Sequence, residues 1–244
     1  MILRVAVRLF WFALEVSWAV VCYFRMVVVA APKNKRLARA AWLQQASRRH
    51  LRIFNYRAEI SGELPRQGLL VSNHLSYLDI LALSAATPAV FVSKADVRRW
   101  PLFGWLAALA GTVFIERERR THVGAVNQEI AAALADGALV VVFPEGTSSN
   151  GEQVLPFRSS LLEPGLRAGG AISVACLHYE LTDGDARQEV CYWGDHTFFP
   201  HLLHLLGKSS IRAVIKFRQL PPLQTDRKAA ATSLRAEVMA LREV

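Results

Sequence analysis

Short apolar runs alternate with amphipathic stretches along most of this 244-residue chain. Runs rich in Val, Ile, Leu and Phe fall at 52–60, 68–72, 89–93, 111–115, 138–143, 172–181 and 211–218, each of a length suited to one strand. Between them, apolar positions recur with a helical period at 76–86, 102–110, 121–136, 199–206 and 226–242, and a basic helix is expected at about 35–50. The alternation predicts an α/β fold, a mixed and largely parallel sheet flanked by helices. Ligands in such sheets bind beyond the strand ends, where the loops emerge.

The first 57 residues break that rhythm. From Leu9 to Ala31 the chain is apolar and rich in Trp, Phe and Val, interrupted by Glu15 and Arg25. A spanning helix needs ~20 predominantly apolar residues and central charges are costly there, which disfavours a single clean span. No small-residue cleavage site is evident after the run, which argues against a signal peptide. The segment also holds the excess charge: eleven Lys and Arg against one acid, compared with eighteen against nineteen beyond it. An N-terminal apolar helical membrane anchor is therefore expected, as an interfacial helix or a helical hairpin. Its basic residues Arg4, Arg8, Lys33, Lys35, Arg36, Arg39, Arg48, Arg49 and Arg52 would face anionic head groups.

A nucleic-acid surface, or a core helix beside a solvated charged one, would show similar composition. The apolar neighbour and the lack of a recognisable nucleic-acid module favour lipid, so no nucleic-acid partner is expected. No Pro/Gly/Ser-rich linker divides the chain, and residues 58–244 read as one catalytic domain behind a membrane-association element at 1–57. Cys22, Cys176 and Cys191 are odd in number and lack metal-ligand spacing, which suits a reducing compartment and a catalytic part facing the cytoplasm.

Candidate chemistry begins at Asn73-His74-Leu75-Ser76-Tyr77-Leu78-Asp79, between the apolar run at 68–72 and the helix at 76–86. Ser76 suits the N-cap position. A histidine just before the cap and an aspartate in the first turn can converge, the carboxylate holding one ring nitrogen while the other is free to take a proton. A histidine that only caps the helix is the alternative. Spacing does not decide between them, because His178 and Asp183 repeat it. That second pair lies in the alternating run at 172–181 and the turn after it. Residues an odd number apart on a strand face opposite ways, so this pair is not expected to meet.

Other strand ends carry polar groups. The run 138–143 opens abruptly into Pro144-Glu145-Gly146-Thr147-Ser148-Ser149-Asn150-Gly151. Its amides and hydroxyls could hold a phosphate or glycerol head group, with Glu145 fixing the loop or binding a hydroxyl; an ordinary turn is the alternative. Lys94 follows the run at 89–93 and Arg117 follows 112–116. Each puts a cation at a strand end, as an anion site requires, or a charge in solvent. His196, His201 and His204 with Asp195 invite a metal assignment, but the surrounding leucines favour an ordinary helix, and no metal is expected. Trp100, Phe103 and Trp105 suit an acyl-chain groove or core packing equally well.

In this order the stretches resemble the blocks of the glycerolipid acyltransferase family, over residues 60 to 220. His74 to Asp79 is similar to the first block, His followed by four residues and Asp. Ser93-Lys94 with Trp100-Pro101-Leu102-Phe103-Gly104 resembles the lysine and Pro-x-x-Gly segment, Gly111 to Arg117 the second block, and Phe143-Pro144-Glu145-Gly146-Thr147 the third. The resemblance implies that His74 is the general base and Asp79 its orienting partner. Lys94, Arg117, Glu145, Gly146 and Thr147 would bind the acceptor's glycerol and phosphate part. It also implies direct attack on the thioester of acyl-CoA or acyl carrier protein, without an acyl-enzyme or a cofactor, at the cytoplasmic face of the cell membrane by a monotopic or single-span protein.

Two departures bear on the acceptor. Ser148 stands where the third block often continues with Arg, and Arg158 in Leu155-Pro156-Phe157-Arg158 is the residue placed to compensate. The apolar strand at 171–175 lacks the Pro of the fourth block. The leading expectation is acylation of 1-acylglycerol-3-phosphate to phosphatidic acid, with lyso-ornithine lipid or another lysolipid as the alternative that Ser148 favours. More distant is a lipid hydrolase or thioesterase in which His74 activates water.

Overall fold

The computed structural model describes residues 2–115, 120–167, 170–221, 223 and 226–243. Seven described strands form one sheet: β1 (Tyr56–Ser61), β2 (Gly68–Ser72), β3 (Val90–Lys94), β4 (Val113–Ile115), β5 (Leu139–Val142), β6 (Ile172–Leu181) and β7 (Ile211–Leu220), in the order β1-β7-β6-β2-β5-β3-β4. β6, β2, β5, β3 and β4 run parallel, whereas β7 opposes β6 and carries β1 parallel to itself. β2 and β5 are apolar at almost every residue because both their faces are covered. The pleat then divides their side chains between two cores. Leu70, Val141 and Phe91 face one core, while Leu69, Val71, Val140 and Val142 face the other.

The described helices are α1 (Ile2–Tyr23), α2 (Lys35–Ile53), α3 (Leu78–Ala86), α4 (Phe103–Leu109), α5 (Arg120–Ala135), α6 (Glu163–Arg167), α7 (Ala186–Glu189), α8 (Phe198–Gly207) and α9 (Arg227–Glu243). Leu51 of α2, Leu78 and Leu83 of α3 and Leu205 of α8 close the first core. Ile130 of α5 and Leu234 of α9 close the second. The mixed, largely parallel sheet flanked by helices agrees with the sequence pattern, and the runs at 68–72 and 172–181 coincide with β2 and β6. The largest boundary difference is at the first strand: residues 52 and 53 continue α2, and β1 starts at Tyr56 after Asn55 turns the chain in a left-handed conformation (φ 50).

α1 continues into a π-helical turn (Phe24–Val29) and lies against α2. The Trp42 indole N–H donates to the Ala19 carbonyl at 2.7 Å, and Tyr23 packs edge-on against that indole. Asn34 caps α2 by accepting from the Leu37 amide at 3.1 Å. The other side of α1 is an apolar stripe at helical spacing, with Leu3, Phe10, Leu14, Trp18, Val21, Phe24 and Val28 all exposed. Ile2–Val29 is long and apolar enough to cross a membrane, by length and composition.

Packing of α1 and α2 corrects the expected role of their arginines. Arg4 donates to the Gly207 carbonyl at 2.9 Å and Arg8 to that of Leu206 at 3.1 Å, where the C-terminus of α8 favours a cation. Arg36 pairs with Asp136, Arg48 donates to the Ala85 carbonyl, and Arg49 pairs with Glu15. These five side chains bind protein instead of facing outward to head groups. Among the described residues, Lys33, Lys35, Arg39 and Arg52 have no such partner.

Candidate active site

β2 ends at Ser72, and the next residue locks the chain beyond it. The Asn73 side chain donates to the Leu177 carbonyl at 3.0 Å and accepts from the Leu177 amide at 2.8 Å, so both polar groups of that residue in β6 stay paired. His74 follows, half-buried, with its ring stacked on Phe143 at 4.1 Å between centroids. Its amide donates to Glu145 Oε1 at 3.0 Å, and its carbonyl accepts from the Ser149 amide at 3.0 Å. The histidine is thus held by main chain and ring alike, from the loop that leaves β5.

Asp79 is fully buried and makes four hydrogen bonds. Oδ2 accepts from the Leu75 amide at 2.6 Å, the Ser76 amide at 3.0 Å and His74 Nδ1 at 2.8 Å; Oδ1 accepts from the Tyr179 hydroxyl at 2.7 Å. A carboxylate can only accept, so Nδ1 carries the proton and Nε2 is left as an acceptor. Burial pushes the Tyr179 phenol well above its ordinary range, with the Asp79 charge adding to it, which keeps the phenol a donor. Ser76 does not cap the helix as expected. α3 starts after Tyr77 with no side-chain cap, and the Ser76 hydroxyl has no partner. Asp79, inside the first turn, instead reaches back to the Leu75 and Ser76 amides that precede the helix.

Glu145 ties the same loop together. Besides the His74 amide, it accepts from the Leu155 amide at 3.3 Å. Burial pushes its carboxyl up to about 7 despite these two amide hydrogen bonds. The segment Phe143 to Gly146 closes as a turn, with the Gly146 amide donating to the Phe143 carbonyl at 3.1 Å and Gly146 at φ 77, where glycine is favoured. Ser148 donates its hydroxyl to the Tyr192 carbonyl, and the Tyr192 amide donates to the Leu75 carbonyl at 2.7 Å. Behind this, the Tyr77 hydroxyl meets His201 Nδ1 at 2.9 Å, and burial holds the His201 imidazole down to about 4.

Not every residue singled out by sequence joins this cluster. The structure brings His74, Asp79, Glu145 and Gly146 together. Lys94 is exposed at the C-terminal end of β3, on the strand-end edge from which His74 and Glu145 emerge. Thr147 is exposed, and Arg158 has its side chain exposed while its amide donates to the Pro144 carbonyl at 2.8 Å. Arg117 lies outside the described residues. Sequence reasoning missed Asn73, Phe143, Tyr179 and Tyr192 as parts of the site. A polar residue ending a buried strand was a usable signal for Asn73, whereas Tyr179 needed the β2–β6 register. His178 and Asp183 do not meet: His178 is exposed, and Asp183 accepts from the Ser209 amide at 2.8 Å.

A proton acceptor aimed from a strand end, oriented by a buried carboxylate, suits removal of a proton from a hydroxyl. The sequence model of the acyltransferase family matches residues 56–208. A lyso-ornithine lipid O-acyltransferase of Brucella abortus is 38% identical over 207 residues, covering 78% of this chain and 77% of that relative. The chain belongs to the acyltransferase family. This acyltransferase is also 37% identical over 117 residues to a 1-acyl-sn-glycerol-3-phosphate acyltransferase of Neisseria gonorrhoeae, which covers 48% of this chain and 46% of that relative. The crystal structure of the 1-acyl-sn-glycerophosphate acyltransferase of Thermotoga maritima matches with a TM-score of 0.70 over 100% of this chain and 96% of the other. At 17% identity that match establishes a shared fold. The matched family region contains His74, Asp79 and the entire Glu145 loop of this acyltransferase.

Proposed function

We propose that this acyltransferase carries a fatty acyl group from the thioester of acyl-CoA or acyl carrier protein to the free hydroxyl of a lysolipid, and that the lysolipid is a lyso-ornithine lipid. The chemistry rests on the 2.8 Å contact between His74 Nδ1 and the buried Asp79 carboxylate. Nε2 takes the proton of the acceptor hydroxyl, and the freed oxygen attacks the thioester carbonyl. The tetrahedral intermediate collapses, the C–S bond breaks, and the leaving sulfur receives the proton from the imidazolium. The Asp79 carboxylate stabilises that imidazolium through Nδ1–H. Holding two substrates in line supplies much of the rate, so no protein nucleophile is required. In this reading Lys94, Arg117, Gly146, Thr147 and Arg158 are the residues that bind the acceptor head group, and Glu145 fixes the loop.

Ser148 orders the acceptors. It is neutral where an arginine would serve a phosphate, and its hydroxyl is engaged by the Tyr192 carbonyl. An ornithine head group has no phosphate and does not call for that cation. The Brucella abortus relative, named for lyso-ornithine lipid, supports the same choice. This reverses the order expected from the sequence, which put 1-acylglycerol-3-phosphate first. That acceptor is the second reading, favoured by the exposed cations Lys94 and Arg158 and by the Neisseria gonorrhoeae relative named for it.

The apolar stripe of α1 supports attachment to a membrane, and the cytoplasmic face is part of the proposal. The opposite side of the helix is bound to α2 and α8 from Arg4 to Tyr23, which favours a helix lying in the interface over one surrounded by lipid. Purified enzyme offered each acceptor with labelled acyl-CoA tests the assignment. Lyso-ornithine lipid is expected to be turned over with the higher kcat/KM by tenfold or more. A reversed preference would overturn the acceptor, and release of free fatty acid regardless of acceptor would overturn transfer itself.

A further inference from the structure

A cavity of about 700 Å³ opens at the sheet's β4 edge, between the start of α2, the strand entry Gly111–Phe114 and α5. Among the described residues it is lined by Lys33, Lys35, Arg36, Arg39 and Arg98 against Glu129 and Asp136. Arg36 and Asp136 neutralise each other at 2.9 Å. Arg98 lies over the Phe114 ring and has no ion-pair partner among the described residues. Lys33, Lys35 and Arg39 have no ion-pair partner among the described residues, and Arg39 Nε is buried without a hydrogen-bond acceptor. Among the described residues, four cations thus converge on one carboxylate around an open space. Their mutual repulsion, and a buried donor that costs about 1–3 kcal/mol while unpaired, are both relieved by a polyoxygen anion in the cavity.

We infer that this cavity binds the phosphodiester of an anionic membrane phospholipid, at a site separate from acyl transfer. Separation follows from topology: His74 leaves the C-terminal end of β2, whereas the cavity lies along the outer edge at β4, three strands away along the sheet. Membrane lipid is favoured over a soluble anion by what adjoins the cavity. Phe24, Val28 and Val29 end the exposed apolar stripe, and Lys33 follows four residues after Val29. A phosphate held by Lys33, Lys35 and Arg39 then lies where the apolar surface gives way to charge, the level a phospholipid phosphate occupies.

Binding of the full-length protein to vesicles tests this without reference to turnover. With vesicles of phosphatidylcholine and phosphatidylglycerol, Lys35→Gln/Arg39→Gln is expected to weaken binding about thirty-fold, from roughly 1 kcal/mol per cation near an anionic surface. Binding to phosphatidylcholine alone should not change. Arg57→Gln/Arg66→Gln removes the same charge from exposed positions outside the cavity lining and should weaken binding less than about threefold. Equal weakening by the two pairs would overturn the site, since diffuse attraction alone predicts it. Lys33→Gln/Lys35→Gln alters only exposed side chains and should reproduce the larger loss with an unchanged melting temperature; failure to do so would also overturn it. Soluble short-chain phosphatidylglycerol should displace the protein from vesicles, whereas equally effective displacement by inorganic phosphate would overturn the lipid assignment.

Discussion

His74 and His178 each precede an aspartate by five residues, yet only His74 meets its aspartate. The difference lies in the element that holds each one. His74 stands where a parallel strand gives way to a helix, and the turning main chain brings Asp79 back beneath the ring. His178 stands inside β6, paired with Val214 of β7, and its side chain points to solvent. The neighbour of His178 sharpens the contrast. Tyr179, on the opposite face of the same strand, is buried and donates to Asp79. One strand therefore carries the histidine that does nothing for this site and, one residue later, a group that supports it.

Replacing the histidines is the strongest way to break this comparison. His74→Ala should lower kcat/KM about a hundred- to ten-thousand-fold, the range of a general base, and leave vesicle binding intact. His178→Ala should stay within about twofold of the parent, because an exposed strand side chain with no partner is worth little. Turnover of the His74 variant within tenfold of the parent would sink its assignment as base. A comparable loss in the His178 variant would mean that spacing, and not the supporting element, had been the signal.

What was legible in the chain follows from the same contrast. The strands at 68–72 and 172–181 could be read because continuous or alternating burial is written in residue type. The helix after His74 was legible too, but its cap was misread: Ser76 has the right chemistry, yet its hydroxyl has no partner, and Asp79 reaches back to the amides ahead of the helix. Arg4 and Arg8 were misread because their partners are main-chain carbonyls at the end of α8, which leave no mark in the sequence. Tyr179 was invisible for a related reason. Its partner is 100 residues away, and only the strand order brings β6 beside β2.

A smaller and pH-dependent effect separates the two regions by what holds their main chains. The His74 amide is held by a carboxylate, Glu145, whereas His178 is held by the ladder between β6 and β7. The Glu145 carboxyl is raised to about 7, so the folded chain binds this proton more tightly than the unfolded chain does. Its contribution is therefore fully present below the unfolded value of about 4.3 and is lost as pH rises through about 7. Relative to Glu145→Gln, the parent should lose roughly 3 kcal/mol of unfolding free energy between about pH 4 and about pH 8. Parallel curves for the two proteins in denaturant titrations across that range would refute the raised carboxyl.

The smallest expected effect tests the link between the two regions directly. Tyr179→Phe keeps the ring and the packing of β6 but removes the 2.7 Å donor to Asp79 Oδ1. The oxygen left behind is fully buried and cannot recruit water freely, so the change should cost about 1–2 kcal/mol of stability, a fall of a few degrees in melting temperature for a chain of this size. Transfer should fall by less than about tenfold, since Oδ2 still accepts from Leu75, Ser76 and His74 and keeps the imidazole in place. His178→Ala, one residue away, is the matched control and should change stability by less than about 0.5 kcal/mol. If Tyr179→Phe were as silent as that control, the support that β6 lends to Asp79 would be packing alone. A double-mutant cycle with Asp79→Asn would then show no coupling between the two side chains, whereas a working hydrogen bond gives a coupling of about 0.5–3 kcal/mol.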